Sequence, residues 1–403
     1  MSCNNWEKVK FADVVEFPPQ IKLQKGDSYP FVELSDINIG FKYVYSNQEK
    51  IYDGSGAKFE NGDTLFARIT PSLENGKIAQ VKNLKNKAFG SGEFFIFRGK
   101  KNITDSDFIY YLSQTQAFRD HAINSMVGAS GRQRADNKFV GRTEFLLPPL
   151  LIQKKIAKIL SNYDDLIENN LKQIKLLEEK ARLTYEEWFF RFRIDGQKLD
   201  IDEETGLPFG WKEKKLSEFL KFSQGVQVDV ENQITEKYDG YTRFIRIVDI
   251  TQNTNDIRYI KTPTKNCIVS KKDIFMIRYG APQVAIGFEG AIANNLFKIS
   301  FTNNEYLKYY VFYFLKQQYL QEYLLAISVS STMPAISFKS FGSIKINIPS
   351  KMLINTFNST VEPIIDNIFN LQKQNQLLKE SRDILLPRLM TGMIDLEKLD
   401  IEV

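Results

Sequence analysis

The chain has 403 residues, 43% hydrophobic and 26% charged, with a formal net charge of +5. That length supplies two or three domains with cores of their own, and the mildly basic balance is compatible with a nucleic-acid partner without demanding one. Two cysteines (Cys3 and Cys267) and one histidine (His121) argue against a disulfide framework, a multi-thiolate metal site and His-relay catalysis.

Residues 1–147 read as a mixed α/β domain. Alternating runs predict strands over 29–34, 64–69, 77–81, 94–98 and 144–147. Apolar residues at helical spacing predict a helix over 105–125, with Thr104 or Asp105 as its cap. Residues 148–195 follow as a spacer segment dominated by a helix from about 150 to 190. Its stripe is Ile156, Leu160, Tyr163, Ile167, Leu171, Ile174, Leu177, Ala181, Tyr185 and Trp188. At 1.5 Å per residue such a helix reaches on the order of 57 Å, more than a domain of this size spans, so its apolar face needs a partner. Asp195-Gly196 and Gly206 to Gly210 read as linker.

Residues 196–348 form a second α/β domain, and 349–403 a second long helix with a tail. The stripe of that helix is Leu353, Phe357, Val361, Ile365, Ile368, Leu371, Leu378 and Leu385. Pro363 is expected to kink the helix or mark its start, and Asn375, on the stripe, to set register. The two helices match in length and pattern, and a domain separates them in sequence. The expected fold class is therefore α+β: two globular α/β domains separated by two long helices in an antiparallel coiled coil, with an internal pseudo-two-fold repeat.

The repeat is visible in the residues. Asn5-Trp6-Glu7-Lys8 is echoed by Gly210-Trp211-Lys212-Glu213, and Gly62-Asp63-Thr64-Leu65-Phe66-Ala67-Arg68 by Lys272-Asp273-Ile274-Phe275-Met276-Ile277-Arg278. Leu146-Leu147-Pro148-Pro149 is answered by Ile346-Asn347-Ile348-Pro349, each opening a long helix. The period is far beyond a solenoid unit, so this is a duplicated domain plus helix.

Motifs for chemistry are missing from the sequence. There is no G-x-x-x-x-G-K-[ST] phosphate loop and no Asn/Asp-Pro-Pro-aromatic motif of an amino-methyltransferase. Phe89-Gly90-Ser91-Gly92 lies between strands and not at a strand-to-helix turn. No apolar window approaches the roughly 18 residues of a membrane span, and no basic-then-apolar leader opens the chain, so a cytoplasmic protein without a membrane partner is expected.

The polar loops point to binding. Arg68, Thr70 and Lys77 leave one strand, and Arg132, Gln133, Arg134, Asn137 and Lys138 crowd a second loop; Ser91 joins them. Arg suits guanine edges, Asn and Gln adenine edges, and Lys phosphates. Matching places in the second domain carry Arg278, Tyr279, Gln283, Asn294, Ser331, Thr332 and Lys339. A repeated frame with divergent loops is what reading two different short sequences would require. A self-sufficient methyltransferase or nuclease, and a protein-only coiled-coil adaptor, remain the alternatives.

Further motifs stand in order. Arg68 to Lys77 reads Arg-Ile-Thr-Pro-Ser-Leu-Glu-Asn-Gly-Lys, Leu147-Pro148-Pro149-Leu150 precedes Gln153-Lys154-Lys155-Ile156-Ala157, and Leu385-Leu386-Pro387-Arg388-Leu389-Met390-Thr391-Gly392 stands near the end. With Glu187-Trp188-Phe189 and Leu207-Pro208-Phe209-Gly210-Trp211, the chain resembles the specificity (S) subunits of Type I restriction-modification systems over essentially its whole length. The resemblance implies two target-recognition domains acting on double-stranded DNA. It implies a non-catalytic chain, with the chemistry in two methyltransferase (M) subunits and in restriction/translocase (R) subunits. S-adenosylmethionine, ATP and Mg are then expected on those partners, with no cofactor here. Partner contacts are expected at Tyr185, Trp188, Phe189 and Arg191, and at Leu386, Arg388 and Met390. One departure is that Lys272-Asp273 replaces Gly-Asp in the second half.

Overall fold

A computed structural model describes residues 5–129, 131–252, 256–263, 266–328, 335–397, 399 and 401. The chain divides into two compact units, residues 1–173 with 371–403, and residues 174–370. Each unit thus combines one α/β domain with a segment of each long helix.

The first half runs β1 (Glu7–Lys10), α1 (Phe11–Val14), β2 (Val15–Glu16), β3 (Ser28–Val32), β4 (Tyr43–Val44), β5 (Gln48–Ile51) and β6 (Ala57–Phe59). It continues with β7 (Thr64–Ala67), β8 (Ile78–Val81), β9 (Ala88–Gly90), β10 (Phe94–Gly99), α2 (Ser106–Gln114), α3 (Gln116–Asn124), α4 (Asn137–Gly141), β11 (Glu144–Leu147) and α5 (Leu150–Tyr185). After a π-turn at Glu186–Phe190, the second half holds β12 (Arg193–Ile194), β13 (Gln197–Lys198), β14 (Lys212–Lys215), β15 (Leu220–Gln224), β16 (Tyr241–Ile245), α6 (Ile247–Thr251) and β17 (Arg258–Lys261). It closes with β18 (Ile268–Val269), β19 (Ile274–Ile277), β20 (Val284–Ala285), β21 (Gly290–Ile292), β22 (Leu296–Phe301), α7 (Lys308–Leu315), α8 (Gln318–Ser328), α9 (Phe338–Gly342), β23 (Lys345–Ile348) and α10 (Lys351–Met390).

The duplication is one of topology as well as of residues. In the first half one sheet has the order β2-β10-β7-β8-β4 and another β5-β3-β9-β6; in the second half the orders are β15-β22-β19-β20 and β17-β16-β21-β18. The parallel pair β3–β9 recurs as β16–β21, and the antiparallel pair β1–β11 as β14–β23. Strands Thr64–Ala67 and Ile274–Ile277 are buried along their whole length and so covered on both faces, unlike the one-sided burial that the alternating run expected over 64–69 would give.

The predicted helix over 105–125 is two helices. Thr115 ends α2, and its hydroxyl accepts from the Phe118 amide to cap α3. Such side-chain capping competes with helix continuation, and the apolar spacing alone hides it. Asp105 is the cap of α2, accepting from the Phe108 amide at 3.0 Å, while the buried Thr104 hydroxyl donates to the Val14 carbonyl. Asp195-Gly196 is not linker but the turn of a tight hairpin, with positive φ at both residues, as a type I′ turn requires. Pro363 does not mark the start of α10, which begins twelve residues earlier at Lys351 with the Ser350 hydroxyl accepting from the Leu353 amide.

The two long helices meet in both units, and in the first the contacts show them antiparallel. In the first unit Asn170 on α5 donates to Asn375 on α10 at 2.9 Å, both buried, and Arg382 pairs with Asp164 at 2.5 Å. Rising numbers on one helix thus meet falling numbers on the other. Lys42 from the domain joins this cluster through Asp107 and Ser161, each at 2.8 Å, and Tyr111 donates to Asp164. The tail is included: Leu396 lies in the core with Ile152, Ile156 and Leu160, and the Lys155 ammonium donates to the carbonyls of Leu396 and Leu399. In the second unit Tyr185, Trp188 and Phe189 pack around Phe357 with ring centroids 4.9–6.1 Å apart. Among the described residues no helix is long and apolar enough to cross a membrane.

Candidate nucleic-acid interface

Three loops of the first domain converge. The β7–β8 loop (68–77) and the loop before α4 are joined through backbone: Thr70 N–H donates to the Gln133 carbonyl, Gln133 N–H to the Thr70 hydroxyl, and Ala135 N–H to the Arg68 carbonyl, at 2.8–3.0 Å. The β9–β10 turn completes the set, with Arg68 N–H donating to the Glu93 carbonyl at 2.9 Å and the Ser91 hydroxyl accepting from the Glu93 amide. Leu73, fully buried, pins the first loop into the core, and Gly76 closes it at φ +72. That positive φ strains any side chain, so the turn favours glycine; the tip of the flexible Arg119 side chain, 2.4 Å from where a Cβ would stand, can move aside.

The predicted contact residues sort by what already holds them. Arg134 is bound by Glu93 in a forked pair at 2.6–3.0 Å, and that carboxylate raises the guanidinium further above its ordinary pKa. The Lys77 ammonium donates to the Leu34 carbonyl at 2.6 Å, so it braces the loop rather than standing free. The Thr70 hydroxyl is engaged by the Gln133 backbone, while the half-buried Gln133 side chain makes no hydrogen bond among the described residues. Arg132, Asn137 and Lys138 are exposed and make no side-chain hydrogen bond or ion pair among the described residues. The Arg68 guanidinium lies 4.9 Å from the Phe95 ring centre.

The second domain repeats the platform with different contents. Arg278 N–H donates to the Asn295 carbonyl and Ile336 N–H to the Arg278 carbonyl, the same pattern as Arg68 with Glu93 and Ala135. The β19–β20 loop is shorter, 278–283, and Tyr279 pairs with Ala335. The Arg278 Nε closes on the Ile336 carbonyl at 3.1 Å, Asn294 donates to Gln227, and Gln283 and Lys339 are exposed. Ser331 and Thr332 lie outside the described residues. Lys58, Gln20 and Glu93 near the first platform, and Gln224 and Gln227 near the second, were not singled out in the sequence analysis. Only strand pairing brings them in, and apart from the Gly-Ser-Gly-Glu run nothing local announces them.

Two of the expected partner contacts need correction. Tyr185 and Phe189 are buried in the second unit among Tyr310, Phe357 and Trp211, so their rings are not available surface. Leu386 and Met390 pack on the first unit's core, and Trp188 is half-buried against Phe357. Arg191, paired with Glu187, and Arg388 are exposed. Bulky residues at helical spacing are equally suited to an intramolecular core, which is where the aromatic ones went. Exposed apolar positions on the helices include the pairs Leu176 and Leu183 on α5, and Leu377 and Ile384 on α10, besides Leu151, Leu166 and Met352. Each pair is one heptad apart, and Leu176-Leu177 repeats as Leu377-Leu378.

A duplicated α/β frame, each copy presenting three convergent polar loops and followed by a long helix, defines a tandem recognition module. The family model of the Type I restriction modification DNA specificity domain matches residues 4–179 and 208–379, and the chain belongs to that family. The MjaIX Type I restriction enzyme specificity subunit of Methanocaldococcus jannaschii is 25% identical over 98% of this chain and 95% of its own length. The HindI specificity subunit of Haemophilus influenzae is 23% identical over 91% of this chain and 95% of its own. The crystal structure of a Type I restriction-modification S subunit from M. genitalium aligns at a TM-score of 0.55 with 18% identity, covering 96% of each chain, and shares the fold. The family is the one the motifs resembled.

Proposed function

We propose that this chain is the non-catalytic DNA-reading subunit of a Type I restriction-modification complex, each domain reading one half of an asymmetric, bipartite target. The observation that carries this is the same three-loop platform occurring twice, with Arg132, Gln133 and Arg134 in one copy and Tyr279 and Gln283 in the other. Identical frames fit the same groove geometry, and different side chains select different base edges. The exposed leucines at Leu176 and Leu183, and the matching Leu377 and Ile384, are the surfaces we assign to two methyltransferase subunits. Those subunits and the restriction subunits would bind S-adenosylmethionine, ATP and Mg, and the complex would act in the cytoplasm.

Sequencing the methylated bases of cells that carry this gene with its methyltransferase tests the reading. The expected result is a gapped motif with two unlike halves. Arg132→Ala should relax one half alone. A continuous or palindromic motif, or none, would overturn it.

A further inference from the structure

A cleft of about 460 Å³ opens in the first domain where the reading loops meet the β6 edge. Its lining brings together Lys58, Arg68, Gln20 and Asn137 over the ring of Phe95, and among the described residues no carboxylate lines it. Among the described residues neither cation has a counter-charge. Lys58 sits 5.3 Å from the Tyr52 ring centre, and Arg68 makes no side-chain hydrogen bond among the described residues; its Nε is buried without a partner. A half-buried guanidinium lacking an acceptor is costly in a folded protein. The counterpart in the second domain avoids that cost, because Arg278 closes on its own Ile336 carbonyl. Arg68 is therefore left for an acceptor from outside the chain.

We propose that this cleft is a phosphodiester subsite: one backbone phosphate of the bound DNA enters it and accepts from Arg68, with Lys58 as the second cation. The guanidinium fork matches phosphate oxygens, and stacking on Phe95 keeps its plane in place. Gly92 at the rim leaves open space where a side chain would stand, so the sugar-phosphate chain meets no obstruction there. The subsite rests on the DNA-reading function proposed above and assigns Arg68 a role in affinity rather than in base selection. The first domain then anchors the complex to the backbone by a contact that the second domain's Arg278 does not offer.

The test uses the full chain assembled with its methyltransferase, titrated with a duplex carrying the methylated motif and with a scrambled duplex, between 50 and 200 mM KCl. Arg68→Met should weaken binding to both duplexes by the same factor, on the order of tenfold. The slope of log affinity against log salt should fall by about 1. Arg68→Lys should restore most of the slope. Lys58→Met, at a residue outside the core, gives the same reading if Arg68→Met fails to fold. Unchanged slopes in both neutral variants would overturn the subsite, and so would a loss confined to the motif duplex, which would make Arg68 a base reader. A wild-type complex that does not distinguish the two duplexes would instead sink the DNA-reading function.

Discussion

Arg68 and Arg278 hold the same backbone position in their domains, yet among the described residues the Arg68 guanidinium makes no hydrogen bond while that of Arg278 is tied to a carbonyl. Residue type and order reveal the correspondence; the difference lies in what the fold brings near. The same applies to Arg134, whose partner Glu93 is 41 residues away, and to Lys77, held by a carbonyl 43 residues away. Lys379 carries a second consequence at this scale. Burial, and then the positive charge of Arg382, push its pKa down from 10.5 to about 8, although the Phe41 ring 3.5 Å beneath the ammonium favours the charged form. The folded chain binds fewer protons than the unfolded one between those values, so this group's contribution to stability rises as pH goes from about 8 to about 10.5. Urea unfolding from pH 7 to 10.5 should therefore show wild type gaining about 1–2 kcal/mol relative to Lys379→Met, once solvent screening is allowed for. A pH-independent difference would show that Lys379 titrates normally.

Among elements, the long helices are the best-announced part of the chain. Their stripes emerge buried or half-buried, from Ile156 and Leu160 to Phe357 and Val361. Asn375 reads from the pattern as a register residue, and in the structure its side-chain oxygen accepts from Asn170. The stripe pattern contains no hint of that pairing, since Asn170 is off the apolar stripe by residue type. Asn375→Leu should cost about 1 kcal/mol, because the buried Asn170 amide loses its acceptor; the Gln374 oxygen 3.4 Å away limits the loss. Asn170→Leu combined with Asn375→Leu should recover that stability. Urea midpoints for the single and double variants decide the matter, and a single variant as stable as wild type would remove the pair from any role in register.

At the scale of the whole molecule, the two compact units do not follow the order of the sequence. The first takes residues 371–403 from the far end, and the boundaries at 173/174 and 370/371 fall inside α5 and α10. The helices therefore pass from one unit into the other without a break. Under the proposed function, their length governs the unread gap of the target. Inserting seven residues into each helix adds about 10.5 Å, or roughly three base pairs of gap, while both half-sites keep their sequence. Base-modification sequencing of such a variant checks this, and an unchanged motif would count against the helices as spacers.

The duplication, the two long helices and the loops that differ between the copies are all legible in residue order. Each of these is written in local pattern: repeated motifs, apolar residues three and four apart, and clustered polar side chains. The folded arrangement is what sets, among the described residues, which cations lack a partner, which aromatic rings are buried, and which strand edge meets the polar loops. Those outcomes depend on partners tens to hundreds of residues away, such as Glu93 for Arg134 and Phe357 for Tyr185. Pairwise proximity of that kind has no periodicity along the chain, because it is set by strand pairing and helix packing.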